Sequence, residues 1–366
     1  MEGPRKTPLV EFLARWVRSI SAALSFCAPA PRSIELGSRS RVSRIITAAI
    51  LISLCGGGGA AAAGPGAQPA YIRANYVLPP EVIKNGFSFT EVQIPLDKRE
   101  VSTRVVEQVN YLLMDRRASM MQWFDRMSVS GPMIRKVLSD EGVPEDLIYL
   151  AALLSDMLPN AKTKSGGVGW WALGSSKDKK NPSGVPWVVT NDWDDRRDPV
   201  LSTRIAATLM QGLLRKDRKT NWLLAVCSFV DGSDKIDAIA DRAAGFSYWD
   251  MTLPSYSEVV IPRLVALKMI DTFRAFYGVN VPTLPPLAFD YLDRLKLLKD
   301  LPLHVVAKWC GTNARGIWEL NPGVDPSTGI LPKPDRRSPS GFPLRVPKGM
   351  GGKVKQLLVR EGYLQN

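Results

Sequence analysis

The stretch that decides the fold is EGVPEDLIYLAALLSDMLPNAKTKSGGVGWWALGSS, residues 141–176. Pro144, Glu145 and Asp146 form a helix start, a proline in the first turn with acids that complement the positive end of the helix dipole. Leu147 to Leu154 is then almost wholly apolar, which suits a helix buried on most of its faces. Ser155 and Asp156 follow, and Pro159 bars continuation. The chain next turns polar and glycine-bearing before tandem tryptophans, Trp170 and Trp171. An indole face stacks on a sugar ring or packs into a core, and both roles stay open for Trp170.

On either side the pattern remains helical. Upstream, Val101, Val105, Val109 and Leu112, then Met120, Met121, Phe124 and Met127, recur at helical spacing. Ser130-Gly131-Pro132 is expected to break and restart the helix, and Gly142 to end it. Downstream, Asp198-Pro199 opens a helix with Ile205, Ala206, Leu209 and Leu213 on one side. Trp222 to Val230 makes a short apolar helix, and Ser257 to Phe276 a longer one. The proline-rich GVNVPTLPPL (278–287) is a linker. It leads to LPLHVVAKWCGTNARGIWELNP, two short helices around a Gly-Thr-Asn turn with extended flanks. That unit is too small to hold much core alone and should pack on the helical part.

Composition bounds the rest. The 366 residues are 45% hydrophobic and 23% charged, as expected of a globular chain. Lys plus Arg exceed Asp plus Glu by 48 to 35, a net +13 that invites an anionic partner. Residues 1–63 hold eight of the basic and three of the acidic side chains, leaving +8 for the remainder. That remainder shows no nucleic-acid-binding motif, so a solvated basic surface is the reading and nucleic acid is not an expected partner. Arg39, Arg41 and Arg44 precede an eleven-residue apolar run, Ile45 to Cys55, followed by small residues and Ala61-x-Ala63. This is the order of a secretory signal, and the run is short for a membrane span. Export to the periplasm or cell envelope is therefore expected, with membrane association through the leader or Cys55 left open. Leu54 is bulky where lipidation wants a small residue before the cysteine. Residues 1–38 are long for a signal's n-region, and a start near Val42 would account for them. Residues 64–91 read as a flexible lead-in.

Metal and cofactor chemistry find little support. Cys227 and Cys310 lack a CxxC and read as separate buried thiols, with pairing in an oxidising compartment left open. The only histidine, His304, lies in a helical run and reads as an exposed helix residue, which excludes His-dependent triads. No cofactor or metal is expected.

Three blocks together carry a resemblance. Residues 141–176, DWDDRRDPVLSTRIAATLM (192–210) and SYWDMTLPSYSEVVIPRLVALKMI (247–270) resemble, in order, motifs of the SLT-type, lysozyme-like lytic transglycosylases, and among them the membrane-bound lytic murein transglycosylase D family. The likeness extends over about residues 92–350. It implies a mainly α fold, with an SLT-like helical domain at 92–278. Residues 279–366 would hold the linker and a small, degenerate LysM-like α+β segment.

The resemblance also implies where chemistry should lie, and there the chain departs. Gapless alignment from Leu147 puts Leu154 at the family's catalytic glutamate and Ser155 at the serine after it. In the family that glutamate protonates a glycosidic oxygen and then takes a proton from the muramyl C6 hydroxyl; an isobutyl group does neither. Ala172 falls at the family's glutamine, Phe229-Val230 at its Tyr-Asn and Val260 at its tyrosine. Ser155, Gly169, Trp170, Trp171 and Phe229 are the candidate glycan contacts, and Asp156 and Asp231 the carboxylates that could substitute. Asp156 is about 200° round the helix from Leu154, so only an early helix end would turn it inward. Asp231 lies in the loop equivalent to the family's and could serve as a cap. Three functions follow as expectations: an exported pseudoenzyme that binds peptidoglycan glycan strands or a wall-synthesis protein, an active lytic enzyme with a displaced acid, and a periplasmic protein-binding scaffold.

Overall fold

A computed structural model describes residues 76–174, 187–216, 222–243 and 247–365. The expected leader, Cys55 and the start of the lead-in lie outside the described residues. Among those described, the fold is mainly α, and no helix is long and apolar enough to cross a membrane.

The order begins with α1 (Pro80–Asn85), which carries Pro at its start and buries Val82. A hairpin follows, β1 (Phe87–Phe89) and β2 (Val92–Ile94), paired Phe87↔Ile94 and turned by Thr90 and Glu91, both at positive φ. Residues 80–91 are thus not lead-in: Val82, Phe87 and Phe89 belong to the main core. The helix α2 (Arg99–Asn110) buries Val101, Val105 and Val109, as its spacing requires, and runs through one π turn, Tyr111–Asp115, into α3.

That helix, α3 (Arg117–Asp140), corrects the sequence reading. Ser130-Gly131-Pro132 does not divide it; Pro132 sits inside one continuous helix. Ser130 Oγ donates back to the Arg126 carbonyl at 3.0 Å, and a Cβ on Gly131 would lie 3.3 Å from Ile148 Cδ1. The small residues let another helix pack closely here, and that packing outweighs the missing proline N–H. Gly142, at φ +67°, then ends the helix.

A 3₁₀ turn, Glu145–Leu147, leads into α4 (Ile148–Ser155), the helix of the opening stretch. Its buried residues span most of its circumference, as an apolar eight-residue run demands. The remaining helices of this part are α5 (Pro199–Lys216), α6 (Trp222–Asp231), α7 (Ser233–Arg242) and α8 (Ser255–Thr272). Together with α1 to α4 they enclose one core, at whose centre lie Phe124, Leu150, Val226, Leu264 and Leu267. Cys227 is buried, its thiol donating to the Ser257 carbonyl, and Cys310 is partly buried; the two are not joined in a disulfide.

The C-terminal part has its own core. It comprises β3 (Phe289–Leu295), β4 (Leu301–Pro302), α9 (Leu303–Cys310), α10 (Ala314–Leu320), β5 (Ile330–Leu331), β6 (Phe342–Pro347) and α11 (Gly351–Arg360). β4 pairs with β5 and β3 with β6, all antiparallel. His304 is exposed on α9. Trp193, from the helical part, is fully buried in this second core, 5.0 Å from the Phe342 ring centroid.

Candidate functional site

The end of α4, the turn after it, the last residues of α6 and the start of α8 surround a cleft of about 420 Å³. Leu153 and Leu154 reach it from α4. Both are half-buried and packed against the main core. Opposite them, Phe229, Val230 and Asp231 end α6, and Tyr256 projects from the first turn of α8. The loop after α4 supplies Thr163, Ser165 and the backbone around Ala172; Trp187 and the α5 residues Leu209 and Leu213 complete the lining.

The ionisable groups among the described lining residues are Asp231 and Tyr256. Asp231 has structural work to do. Pro254, at the N-cap of α8, offers no capping side chain. The Asp231 carboxylate takes its place, accepting from Ser257 N at 2.9 Å and from Ser257 Oγ. This satisfies a first-turn donor and sets negative charge at the helix N-terminus. Burial holds the Tyr256 hydroxyl above its ordinary pKa, with Arg263 opposing and Asp231 adding to the rise, so at neutral pH it is a neutral donor.

The sequence-derived candidates divide sharply. Leu154, Ala172, Phe229, Val230, Asp231 and Trp171 share the cleft. Trp171 contributes only a border, since it is fully buried and its Nε1 donates to Thr203 Oγ1 at 2.9 Å. Ser155, Gly169 and Trp170 do not line it. Ser155 is buried and donates its Oγ proton to the Ala151 carbonyl at 2.8 Å. Trp170 is buried, with Nε1 donating to the Arg197 carbonyl at 2.7 Å. Gly169 has φ +76°, and a Cβ there would lie 1.8 Å from the Arg196 carbonyl oxygen, so glycine is required for packing.

Asp156 lies outside the cleft lining. The helix does end early, and Asp156 takes a left-handed conformation at φ +54°. Its carboxylate nevertheless accepts from Trp123 Nε1 at 2.6 Å, and its carbonyl from Arg126 at 2.6 Å, so it is tied to α3. Val260 is buried in the core. The sequence reading missed Trp187 and Tyr256. Tyr256 stands four residues before Val260 in the same helix, hence one turn earlier on the same face; that spacing could have found it.

No protein-family model matches the chain. Curated lytic murein transglycosylases are nonetheless similar to it in sequence. Its similarity is to the membrane-bound lytic murein transglycosylase D of Escherichia coli K12, 30% identical over 190 residues, 51% of this chain and 40% of that protein. The same figures hold for the protein of that name from E. coli O6:H1. The chain therefore spans about two fifths of the length of these relatives. Among solved structures, an inactive mutant of the lytic transglycosylase Slt of Pseudomonas aeruginosa aligns at a TM-score of 0.28 and 14% identity, over 40% of this chain and 23% of that one.

Proposed function

We propose that this chain is an exported protein of the cell envelope that keeps a lytic-transglycosylase scaffold and holds peptidoglycan glycan strands in its cleft without cutting them. One observation carries the reading: Leu154 lines the cleft, and among the described lining residues the one carboxylate is Asp231, which is engaged in capping α8. Glycosidic cleavage needs a protonated carboxyl held near the leaving oxygen. A leucine supplies apolar contact and no proton. The +8 balance outside the leader favours an anionic wall polymer as partner. The β4–α9–α10–β5 order supports reading residues 279–366 as a linker with a degenerate LysM-like segment.

Incubation with purified sacculi tests this in two ways. The protein is expected to sediment with the sacculi at roughly physiological salt and to release no anhydro-muropeptides detectable by chromatography and mass spectrometry. Failure to sediment would favour a protein partner.

A second reading rests on the position of Asp231 in the same cleft. It makes the chain an active enzyme with a displaced acid. Anhydro-muropeptide release by the wild type, lost in Asp231→Asn, would establish it and overturn the first. Leu154→Glu adds the missing group. Cleavage by that variant alone would mean that the rest of the site is still competent.

A further inference from the structure

Residues 187–199 form a segment with two working faces. One face is built into the C-terminal part. Trp193 pairs with Val324 as an isolated β-bridge, Asp194 N donates to the Gly323 carbonyl at 2.8 Å, and Asp325 N donates to the Asp192 carbonyl at 2.8 Å. A Cβ on Gly323 would lie 2.8 Å from the Trp193 ring, so the contact leaves no slack. The other face is built into the cleft.

Three tie-lines cross from one face to the other. In the first, Asp194 grips the Arg196 guanidinium at 2.8 and 2.9 Å, and Arg196 donates to the carbonyl of Gly174 on the cleft border at 3.2 Å. In the second, Asp325 pairs with Arg197 at 3.0 Å, and the Arg197 carbonyl accepts from Trp170, the neighbour of Trp171 and Ala172. In the third, Asp195 accepts from Trp193 Nε1 at 2.6 Å through one oxygen and from Val188 N at 2.6 Å through the other, which fixes the residue after Trp187. Asp198 anchors the end of the segment: it caps α5 through Val200 N and Leu201 N and forms a fully buried ion pair with Arg345 of β6.

We propose that the C-terminal part controls the cleft, with residues 187–199 as a rigid strut that converts a displacement on one side into a shift of the wall carrying Trp187 and Gly174 on the other. Charged hydrogen bonds in series transmit displacement well because each is short, directional and costly to leave unmade. The inference goes beyond the proposed function and is independent of what the cleft holds. Coupling of this kind is reciprocal, so an occupant of the cleft stiffens the C-terminal part in turn.

Hydrogen exchange on the full chain tests it. Asp325→Ala cuts the second tie-line from the C-terminal side at a partly exposed position. Exchange at residues 167–174 and at Val188 is expected to quicken by about fivefold or more, with the amides of α3 and α8 unchanged. Quickening confined to residues 301–331 overturns the proposal. If Asp325→Ala loosens every helix, Arg197→Lys decides: it keeps the charge and loses the planar guanidinium that directs the Nη1 bond to Asp325. The same local pattern in that variant supports the strut, and wild-type exchange at 167–174 overturns it.

Discussion

The cleft and the strut beside it are made of opposite chemistry. Among the described residues the cleft is lined by the apolar groups of Leu153, Leu154, Phe229 and Val230 and by one carboxylate, Asp231, that serves as a helix cap. The strut places five charged residues in succession, Asp194 to Asp198; four of them pair with one another or with Asp325 and Arg345, and Asp195 is held by hydrogen bonds from Trp193 and Val188. A buried charge is tolerable only with a partner and satisfied hydrogen bonds. The strut meets most of that condition; Arg197 Nε and Arg345 Nε are buried without a hydrogen-bond partner. The buried charges of the strut hold the fold together, and Leu154 gives the cleft apolar surface.

The sharpest way to break that contrast is at the ion pair with no exposure on either side. Arg345→Met leaves Asp198 buried without its partner, and loss of one member of such a pair costs about 3–5 kcal/mol. Urea unfolding should show a loss of that size. A loss under about 1 kcal/mol would mean that water reaches Asp198 and the strut is not dry.

The next effect depends on pH. Burial pushes the Asp195 carboxyl up to about 6 from 3.8; its bonds from Val188 and Trp193 oppose the rise, and Asp198 and Asp194 add to it. The folded protein thus keeps a proton between about pH 4 and 6 that the unfolded chain has released. Stability from this group is greatest at the acid end of the window and falls as pH rises through it, by on the order of 2–3 kcal/mol. Asp195→Asn should flatten that slope in thermal unfolding followed from pH 4 to 7. An unchanged slope would place the titrating group elsewhere.

Leu154→Glu works in the other region. A carboxylate among Leu153, Phe229 and Val230, with Asp231 in the same cleft, is expected to destabilise by about 1–3 kcal/mol at neutral pH. Both influences raise the folded-state pKa of the new group above its unfolded value. The penalty is therefore absent at pH 4 and complete above the raised pKa, which a stability-versus-pH series would show. A variant as stable as wild type at pH 7 would mean that the cleft is wetter than its lining suggests.

What the sequence disclosed follows the physics of each signal. Helices with a long apolar period were legible, and so were the cap at Asp198-Pro199 and the α4 register that sets Leu154 in the cleft. The continuity of α3 through Pro132 was not, because it depends on Ile148 packing against Gly131, a contact between residues far apart in the chain. The same holds for the tandem tryptophans. Their spacing alone cannot say that both indole N–H groups point into protein, to the Arg197 carbonyl and to Thr203. The strut was invisible for a related reason. DWDDRRDP does not name its partners, and Gly323, Asp325 and Arg345 arrive from well over a hundred residues away.

The smallest effect tests the edge between the two regions. Ser155 follows Leu154 in the chain and was a candidate glycan contact, yet its hydroxyl is turned back into α4. A serine hydroxyl bonded to the carbonyl four residues earlier adds little to a helix, and alanine has the higher helix propensity. Ser155→Ala should change stability by no more than about 1 kcal/mol in either direction. Sedimentation with sacculi should be unaltered, whereas Phe229→Ala, which strips a ring from the cleft itself, should weaken it severalfold. If Ser155→Ala weakens sedimentation as much as Phe229→Ala while leaving the unfolding midpoint in place, the hydroxyl must rotate into the cleft when glycan is present. The line between scaffold and site would then fall one residue later in α4, after Ser155 rather than after Leu154.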